Sequence, residues 1–327
     1  MPKPQVYVTR VIPEAGMEMI RASSVAEVWE RGSPPPYKVL LEKVAGLDGL
    51  VCLLTDRIDG ALMDAAGDSL RVISQMAVGF DNIDIEAATE RGIPVGNTPG
   101  VLTDTTADFA FTLLMAAARR IAEGERYVKA GKWKAWGPTL LMGQDIHRAT
   151  LGLVGLGRIG KGMARRASGF GMRVIYSDPM VDETEAKELG AESYEFDDLL
   201  AESDFVSLHV PLTPETTHLM GEKEFKRMKP SAILINTARG SAVDSNALYH
   251  ALKEGEIAYA ALDVTEPEPI SLDDPLLTLD NCLIVPHIAS SSLATRSRMA
   301  VMAAQNLEAG LKGEELPHCV NPEVYRN

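Results

Sequence analysis

Residues Thr150–Gly160, TLGLVGLGRIG, are the strongest indication of the fold, because an apolar strand here runs straight into a glycine-rich turn. A helix is predicted immediately afterwards, over Lys161–Phe170. Each glycine has a task at this spacing: Gly155 permits a tight turn, Gly157 lets the backbone approach a pyrophosphate, and Gly160 lets the helix pack on the strand. The helix N-terminus offers unpaired N–H groups and the positive end of a dipole to an anion. Together these features predict a dinucleotide-binding βαβ unit.

An acidic residue, Asp178, follows the next predicted strand, Arg173–Tyr176. A carboxylate at this position of a βαβ unit typically binds the ribose hydroxyls of NAD. It would also repel a 2′-phosphate about 4 Å away by about 4 kcal/mol per unit charge, at an effective dielectric constant of about 20. No arginine follows directly, because the next residues are Pro179, Met180 and Val181. The sequence therefore predicts a preference for NADH over NADPH.

Strand and helix patterns alternate along both halves of the chain, which predicts an α/β fold with parallel sheets. The predicted strands are Gln5–Thr9, Gly49–Thr55, Arg71–Ala77, Leu151–Val154, Arg173–Tyr176, Phe205–His209, Ala232–Asn236, Tyr259–Val264 and Cys282–Val285. Further helices are predicted at Tyr37–Ala45, Thr105–Ala122 and Ser291–Leu311. Thr103 and Asp104 are expected to cap the second of these. Because that helix is apolar nearly all round, it requires cover from a second domain or a second subunit.

The composition indicates a globular protein of ordinary hydrophobicity. Its 327 residues predict two domains, at roughly 150 residues per domain. The 32 Lys and Arg residues against 46 Asp and Glu residues, a net charge of −14, argue against nucleic acid or an anionic membrane surface as a partner. The most apolar stretch, residues 109–118, is far shorter than the ~20 residues that span a bilayer. No signal peptide is evident at the N-terminus, so the expected location is the cytoplasm.

The three cysteines, Cys52, Cys282 and Cys319, are too few and too scattered for a disulfide framework or a zinc site. Buried or idle thiols in a reducing compartment are expected instead. No metal ion is predicted.

Three polar residues, Arg239, Glu268 and His287, come just after predicted strands in the second half of the chain. In an open α/β sheet the carboxyl ends of the strands line the ligand crevice, so these side chains and the glycine turn are expected at one edge. An arginine fork binds a carboxylate, and a histidine that titrates near neutrality gives a proton to a carbonyl oxygen as hydride arrives at carbon. A glutamate beside the histidine fixes its tautomer. This set suits reversible reduction of a 2-oxo acid by NADH.

Three separated signatures carry a resemblance to a known family. They are Gly155–Asp178, the hexapeptide Ile235–Gly240 (INTARG), and Ala261–Ser290 with its acidic residues and histidine. Their presence in this order makes the chain resemble the D-isomer-specific 2-hydroxyacid dehydrogenases over nearly its full length. Segments 53–59, 77–84 and 97–104 look most like those of the glyoxylate/hydroxypyruvate reductases within that family.

The resemblance implies roles for individual residues. The catalytic residues would be Arg239, Glu268 and His287. The substrate would contact Leu53, Arg239 and the backbone N–H groups of Val78 and Gly79, which form a small anion nest. The cofactor contacts would be Gly155, Gly157, Arg158, Ile159, Gly160, Asp178, His209, Val210, Pro211, Thr216, Thr237, Ala238, Asp263 and Ser290.

The resemblance also implies an architecture of two Rossmann-like, doubly wound domains. A flavodoxin-like substrate domain would be discontinuous, comprising 1–98 and 290–327, and an NAD-binding Rossmann domain would comprise 99–289. A homodimer would be built on the long helix near Thr105–Ala122.

The expected reaction is NADH-dependent reduction of glyoxylate, with hydroxypyruvate as a second candidate, to the 2-hydroxy acid. Two alternatives stay open. An enzyme like 3-phosphoglycerate dehydrogenase would need extra cations for the phosphate, and Arg57 is the only obvious candidate in the loop 53–59. An NAD-sensing scaffold, like the family's corepressor relatives, would keep the fold without turnover. The short termini and the lack of a basic patch argue against that scaffold.

Overall fold

A computed structural model describes residues 2–326, except for the side chain of Glu183. The chain folds as two compact units, of which the first is Met1–Leu102 with Ser291–Asn327 and the second is Thr103–Ser290. Each unit has one parallel sheet with helices between successive strands, so the predicted α/β class is confirmed.

The first unit contains a sheet of five parallel strands in the order β2-β1-β3-β4-β5. This order is that of the flavodoxin-like doubly wound fold, as the resemblance implied. The strands are β1 (Gln5–Val8), β2 (Val25–Val28), β3 (Gly49–Cys52), β4 (Val72–Gln75) and β5 (Val95–Gly96).

The second unit contains a sheet of seven parallel strands in the order β12-β11-β10-β9-β6-β7-β8. Counted from β6, this is the Rossmann order 3-2-1-4-5-6, extended by one strand. The strands are β6 (Thr150–Val154), β7 (Arg173–Ser177), β8 (Ala191–Ser193), β9 (Phe205–Leu208), β10 (Ile233–Asn236), β11 (Tyr259–Leu262) and β12 (Cys282–Ile284).

Helices cover both faces of each sheet, and buried apolar clusters fill the space between them. Burial on both faces is typical of parallel sheets and explains the apolar strand sequences. The helices are α1 (Glu14–Ser23), α2 (Tyr37–Val44), α3 (Gly60–Ala66), α4 (Ile85–Glu90), α5 (Thr103–Ala118), α6 (Ile121–Lys129), α7 (Arg158–Ser168), α8 (Glu183–Glu188), α9 (Phe196–Glu202), α10 (Glu222–Arg227), α11 (Ser245–Glu254) and α12 (Leu293–Lys312). Within residues 2–326, no helix has both the length and the apolar content that crossing a membrane requires.

The strands that the sequence did not predict, β2, β5 and β8, all lie at sheet edges. β5 has only two residues, β2 alternates between exposed and half-buried positions, and β8 is buried only at its first residue. None of them therefore presents a long apolar run. Edge strands are commonly short and polar because one side meets no neighbouring strand. The missed strands therefore reflect their position in the sheet.

The predicted long helix Thr105–Ala122 is wrong in its bounds, since the chain forms α5 and then α6. The break lies at Arg120, whose φ of 51° places it in the left-handed region. Thr103 and Asp104 lie in the first turn of α5, where they do not act as caps outside the helix. α5 packs against α7, β10 and β11. Its own unit therefore covers much of the apolar surface for which a second domain or a second subunit was expected.

Candidate active site

The carboxyl edge of the second sheet assembles most of the predicted site. The strands end nearly level, because their last residues pair in register: Val154, Ser177, Leu208, Asn236, Leu262 and Ile284. Three of the predicted strands ran too far at this edge, because β9, β11 and β12 end before His209, Asp263 and Val285. Residues that leave a parallel sheet at this edge line its ligand crevice.

The glycine turn has the geometry that its sequence predicts. Gly155 has a φ of 92°, and a Cβ there would lie 2.9 Å from the carbonyl of His209. A Cβ on Gly160 would lie 2.4 Å from the carbonyl oxygen of Gly155. A Cβ on Gly157 would meet nothing within 4 Å, so the backbone there is open to a ligand. α7 begins at Arg158, earlier than the predicted Lys161, and its first-turn amides thus lie in the turn itself.

The carboxylate of Asp178 is hydrogen-bonded to the backbone of the glycine turn. Its Oδ2 accepts a hydrogen bond from the Leu156 amide at 2.8 Å, and its Oδ1 accepts one from the Met180 amide at 2.9 Å. Each carboxylate oxygen has a second lone pair, so both can still accept from hydroxyl groups. The same carboxylate can therefore shape the turn and bind a diol.

The loop after β9 supplies a neutral histidine. The Nε2 atom of His209 lies 2.9 Å from Oγ of Ser207, and burial lowers the pKa of the His209 ring to about 4. Further along, the Thr216 hydroxyl donates to the Pro211 carbonyl at 2.7 Å. Val210, between these residues, is half-buried. Hydrogen bonds within the loop hold it in place, and the His209 ring is uncharged at neutral pH.

The loop after β10 holds an unpartnered buried hydroxyl. The Oγ1 atom of Thr237 has no hydrogen-bond partner among the described residues. Asn236 fixes the backbone around it, because its side chain accepts from the Ala238 amide at 3.0 Å and donates to the Arg239 carbonyl at 2.8 Å. A buried polar atom without a partner is costly, so this hydroxyl is suited to a ligand.

Asp263 holds the loop that follows β12. Its carboxylate accepts hydrogen bonds from the amides of Ile288 at 2.7 Å and Ala289 at 2.8 Å. The amide of His287 donates to the Asp263 carbonyl at 2.9 Å, and Ser290 after it is buried. Burial of Asp263 raises the pKa of its carboxyl group. These bonds impose on His287 a φ of 53°, an uncommon backbone conformation for a histidine.

His287 and Glu268 form a direct pair. The Nδ1 atom of His287 lies 2.6 Å from Oε1 of Glu268, and the two side chains are 25% and 32% exposed. A carboxylate accepts from Nδ1–H, which leaves Nε2 as the ring nitrogen for a proton exchange. The pair is thus arranged as an oriented acid–base group.

The loops that carry Arg239 and Glu268 are held together by Glu266. Its carboxylate accepts from Oγ of Ser241 at 2.7 Å and lies 2.8 Å from Nε2 of His218. These two hydrogen bonds lower the pKa of Glu266. A Cβ on Gly240 would lie 1.9 Å from the Thr265 carbonyl oxygen, so the two loops touch through backbone. This contact was not predicted from the sequence, although Glu266 lies in the segment 265–269 (TEPEP) that contains Glu268.

The predicted substrate residues Leu53, Val78 and Gly79 lie in the first unit, after β3 and β4. β3 and β4 are neighbours and Cys52 pairs with Gln75, so both segments leave the same edge of that sheet. The carbonyls of Val78 and Gly79 accept side-chain hydrogen bonds at 2.8 Å each. Among the bonds described within this unit, the Val78 and Gly79 amides donate none. They are thus oriented donors suited to an anion.

The second unit fits a dinucleotide on its own geometry. An open glycine turn at a helix N-terminus, a carboxylate on the turn and an unpartnered buried hydroxyl all lie along the carboxyl edge. Arg158 and Ile159 lie in the first turn of α7, at the anion-binding end of the helix. Among residues 2–326, no cluster of three or more His, Cys, Asp or Glu side chains could hold a metal ion.

Comparison with known proteins agrees with this geometry. The family model of the D-isomer specific 2-hydroxyacid dehydrogenase NAD binding domain matches residues 111–289. A glyoxylate reductase of Korarchaeum cryptofilum is 57% identical over 99% of this chain and 98% of its own. The crystal structure of the TT0316 protein from Thermus thermophilus has a TM-score of 0.91 at 47% identity, covering 97% of this chain and 99% of its own.

A further solved structure bears on the cofactor. It is the NADPH-dependent glyoxylate/hydroxypyruvate reductase of Sinorhizobium meliloti in complex with NADP and malonate, with a TM-score of 0.85 at 31% identity over 98% of this chain and 97% of its own. The resemblance inferred from the three signatures is therefore confirmed. The chain belongs to the D-isomer specific 2-hydroxyacid dehydrogenases, oxidoreductases that act on the CH–OH group, and its second unit is their NAD-binding domain.

Proposed function

We propose that this enzyme reduces glyoxylate to the corresponding 2-hydroxy acid, with NADH as the reductant. The observation that carries the proposal is the 2.6 Å contact between His287 and Glu268 on the edge that also holds the glycine turn. Relatives that span almost the whole chain at 57% and 52% identity are glyoxylate reductases, which supports the substrate.

In the proposed mechanism, bound NADH supplies the hydride to the carbonyl carbon. His287 gives the proton from Nε2 to the carbonyl oxygen, and Glu268 stabilises the charged ring and holds its tautomer through Nδ1. The Arg239 guanidinium fork orients the substrate carboxylate and polarises the carbonyl. The Val78 and Gly79 amides bind the carboxylate as an anion nest.

A phosphorylated substrate is less well supported by the structure. Arg57, the cation suggested for a phosphate, forms an ion pair with Asp59 at 2.7 Å and stacks on the Tyr37 ring at 5.0 Å. Its charge is thus already balanced by a carboxylate. This arrangement favours a small 2-oxo acid over 3-phosphohydroxypyruvate.

The direct test is NADH oxidation followed at 340 nm with glyoxylate, hydroxypyruvate, pyruvate and 3-phosphohydroxypyruvate. We expect the highest kcat/KM with glyoxylate. A higher value with the phosphorylated acid would contradict the proposal. Tight NADH binding with no turnover of any acid would instead support the scaffold alternative.

Cofactor preference is expected to depend on Asp178. Replacing Asp178 by alanine removes the repulsion of a 2′-phosphate and the acceptor for ribose hydroxyls, so the ratio of kcat/KM for NADPH to that for NADH should rise at least about tenfold. Asp182→Ala is the matched control, because Asp182 is an exposed acid nearby that caps α8 through the Thr184 amide. Equal efficiency of wild type with both cofactors would refute the predicted preference for NADH.

We also propose that the enzyme is a homodimer. Helix α6 and the loop that follows it, residues 121–142, expose several large apolar side chains, and that of Trp136 is 82% exposed. These side chains are Ile121, Val128, Trp133, Trp136 and Met142. Such a concentration is unusual for a monomer surface and typical of an interface. Sedimentation velocity should give about twice the chain mass of 35.3 kDa, and a monomer at micromolar concentration would contradict this.

A further inference from the structure

The two proposed substrate segments of the first unit are separate in sequence but bonded to one another. The loop after β3 begins at Leu53, and the turn after β4 contains Val78 and Gly79. Neither segment belongs to a helix or strand, so side chains must hold them in position. The side chain that joins them belongs to Asn82, a residue not predicted from the sequence to lie in the site.

Asn82 holds the Leu53 loop through three hydrogen bonds. Its Nδ2 donates to the Leu53 carbonyl at 3.1 Å and to the Asp56 carbonyl at 2.8 Å. The main-chain carbonyl oxygen of Asn82 accepts a hydrogen bond from the Ile58 amide at 3.0 Å. Both ends of the loop are therefore attached to one residue that follows the other segment.

Gln75 connects Asn82 to the anion nest. Its Nε2 donates to Oδ1 of Asn82 at 2.6 Å and to the carbonyl of Gly79 at 2.8 Å. The side chain of Gln75 is itself buried on β4, and its Oε1 accepts from the thiol of Cys52 at 3.2 Å. A buried amide with all its bonds made has one orientation, which it imposes on its neighbours.

The Leu53 loop has a second anchor that does not involve Asn82. The buried carboxylate of Asp56 accepts from the Leu53 amide at 2.8 Å and from the hydroxyl of Thr9 at 2.5 Å. The loop should therefore keep its overall path when Asn82 is replaced. The replacement should instead change the position of the loop relative to the Val78–Gly79 turn.

We propose that Asn82, with Gln75, is a positioning residue that sets the Leu53 loop and the Val78–Gly79 amides for a 2-oxo acid. The inference rests on the proposed function. Asn82 acts through the two backbone segments and not by contact with the reacting atoms. Its loss should weaken substrate binding while leaving the proton donor and the NAD-binding unit unchanged.

The test compares Asn82→Ala and Asn82→Asp with wild type. Both variants lose the two Nδ2 donors, and the aspartate keeps the size of the side chain. We expect KM for glyoxylate to rise about tenfold or more in both, with kcat within about threefold and the Kd of NADH within about twofold of wild type. A wild-type KM in Asn82→Asp would mean that the volume of the side chain matters and its donors do not, which would overturn the proposal.

Asn281→Ala is the matched control for stability. Asn281 is also half-buried and also bridges two backbone carbonyls, those of Leu252 and Ala258, at 3.2 Å each, but it lies in the second unit at the amino end of β12. We expect a comparable fall in Tm with unchanged KM. If Asn82→Ala lowered Tm in the same way and left KM within twofold of wild type, its role would be structural only.

The failure of this inference can be told apart from failure of the proposed function. Calorimetric titration of oxalate, a small dicarboxylate that resembles the substrate, into the NADH complex measures binding without turnover. We expect the Kd of oxalate to rise by the same factor as KM in both Asn82 variants. Unchanged oxalate binding would reject the role of Asn82 whether or not wild type reduces glyoxylate, whereas lack of wild-type turnover alone would reject only the proposed activity.

Discussion

Replacing His287 by alanine is expected to lower kcat for glyoxylate reduction by roughly 10²–10⁴, the usual contribution of a general acid–base residue. The ring is held by Glu268 at 2.6 Å, and its position follows from the two backbone amides that Asp263 binds. Two other histidines lie near this edge, and neither is placed to take over: burial lowers the pKa of the His209 ring to about 4, and the Nε2 atom of His218 already lies 2.8 Å from Glu266. Alanine therefore removes the proton donor without replacing it.

Steady-state rates at saturating NADH and glyoxylate measure the effect, and the Kd of NADH from fluorescence titration should remain close to wild type. His250→Ala is the control, because the Nδ1 atom of His250 also faces a glutamate, Glu254, but at 3.6 Å on the exposed face of α11. Its kcat should be unchanged. A near-normal rate in His287→Ala would end the assignment of this residue as the donor.

Replacing Arg239 by lysine is expected to lower kcat/KM for glyoxylate by about 10² or more, even though the positive charge is kept. A guanidinium presents a planar fork that binds a carboxylate through two parallel hydrogen bonds, and an ammonium group cannot reproduce it. A loss of this size corresponds to about 2.7 kcal/mol of transition-state stabilisation. The backbone of Arg239 is set by Asn236, so the substitution should not move the loop.

The measurement is a full kcat and KM determination with glyoxylate at fixed NADH. Arg227→Lys serves as the control, since Arg227 forms an exposed ion pair with Asp197 at 2.9 Å and should tolerate lysine. A change of less than threefold in Arg239→Lys would show that the guanidinium fork does not orient the substrate.

Local pattern was sufficient to predict most of the second unit's sheet. The need for each glycine of the turn arises within a few residues of it. The central strands are mostly apolar and buried along nearly their whole length, so they could be recognised without knowing which strands lie beside them. The positions of Asp178 and His287 after strands follow from the same alternation, whereas Asp263 was predicted inside a strand and follows β11 in the structure. The break at Arg120 could not be predicted in this way, because the residues before it, AAAR, continue a helix by their own propensity.

The side-chain partners of the site could be named only in part. The pairing of His287 with Glu268 was expected from residue types and the family resemblance. The role of Glu266 in holding two loops has no local signature, and neither have the bonds from the Asn82 side chain to the Leu53 loop. In both cases the partners are 25 or more positions apart in the chain. An exposed glutamate in a proline-rich loop and an asparagine in a turn are ordinary in sequence.

The α/β class, the glycine turn, most of the polar residues that follow strands, and the resemblance to the family could all be inferred from the amino-acid sequence. Those features arise from backbone conformation and burial, which depend on neighbours within a few positions. The level at which neighbouring strands end, the break in the apolar helix, and the polar side chains that hold the site loops became known only from the folded chain. Hydrogen bonds between distant segments depend on atoms within about 3 Å of each other, and only the folded chain brings those atoms to that distance.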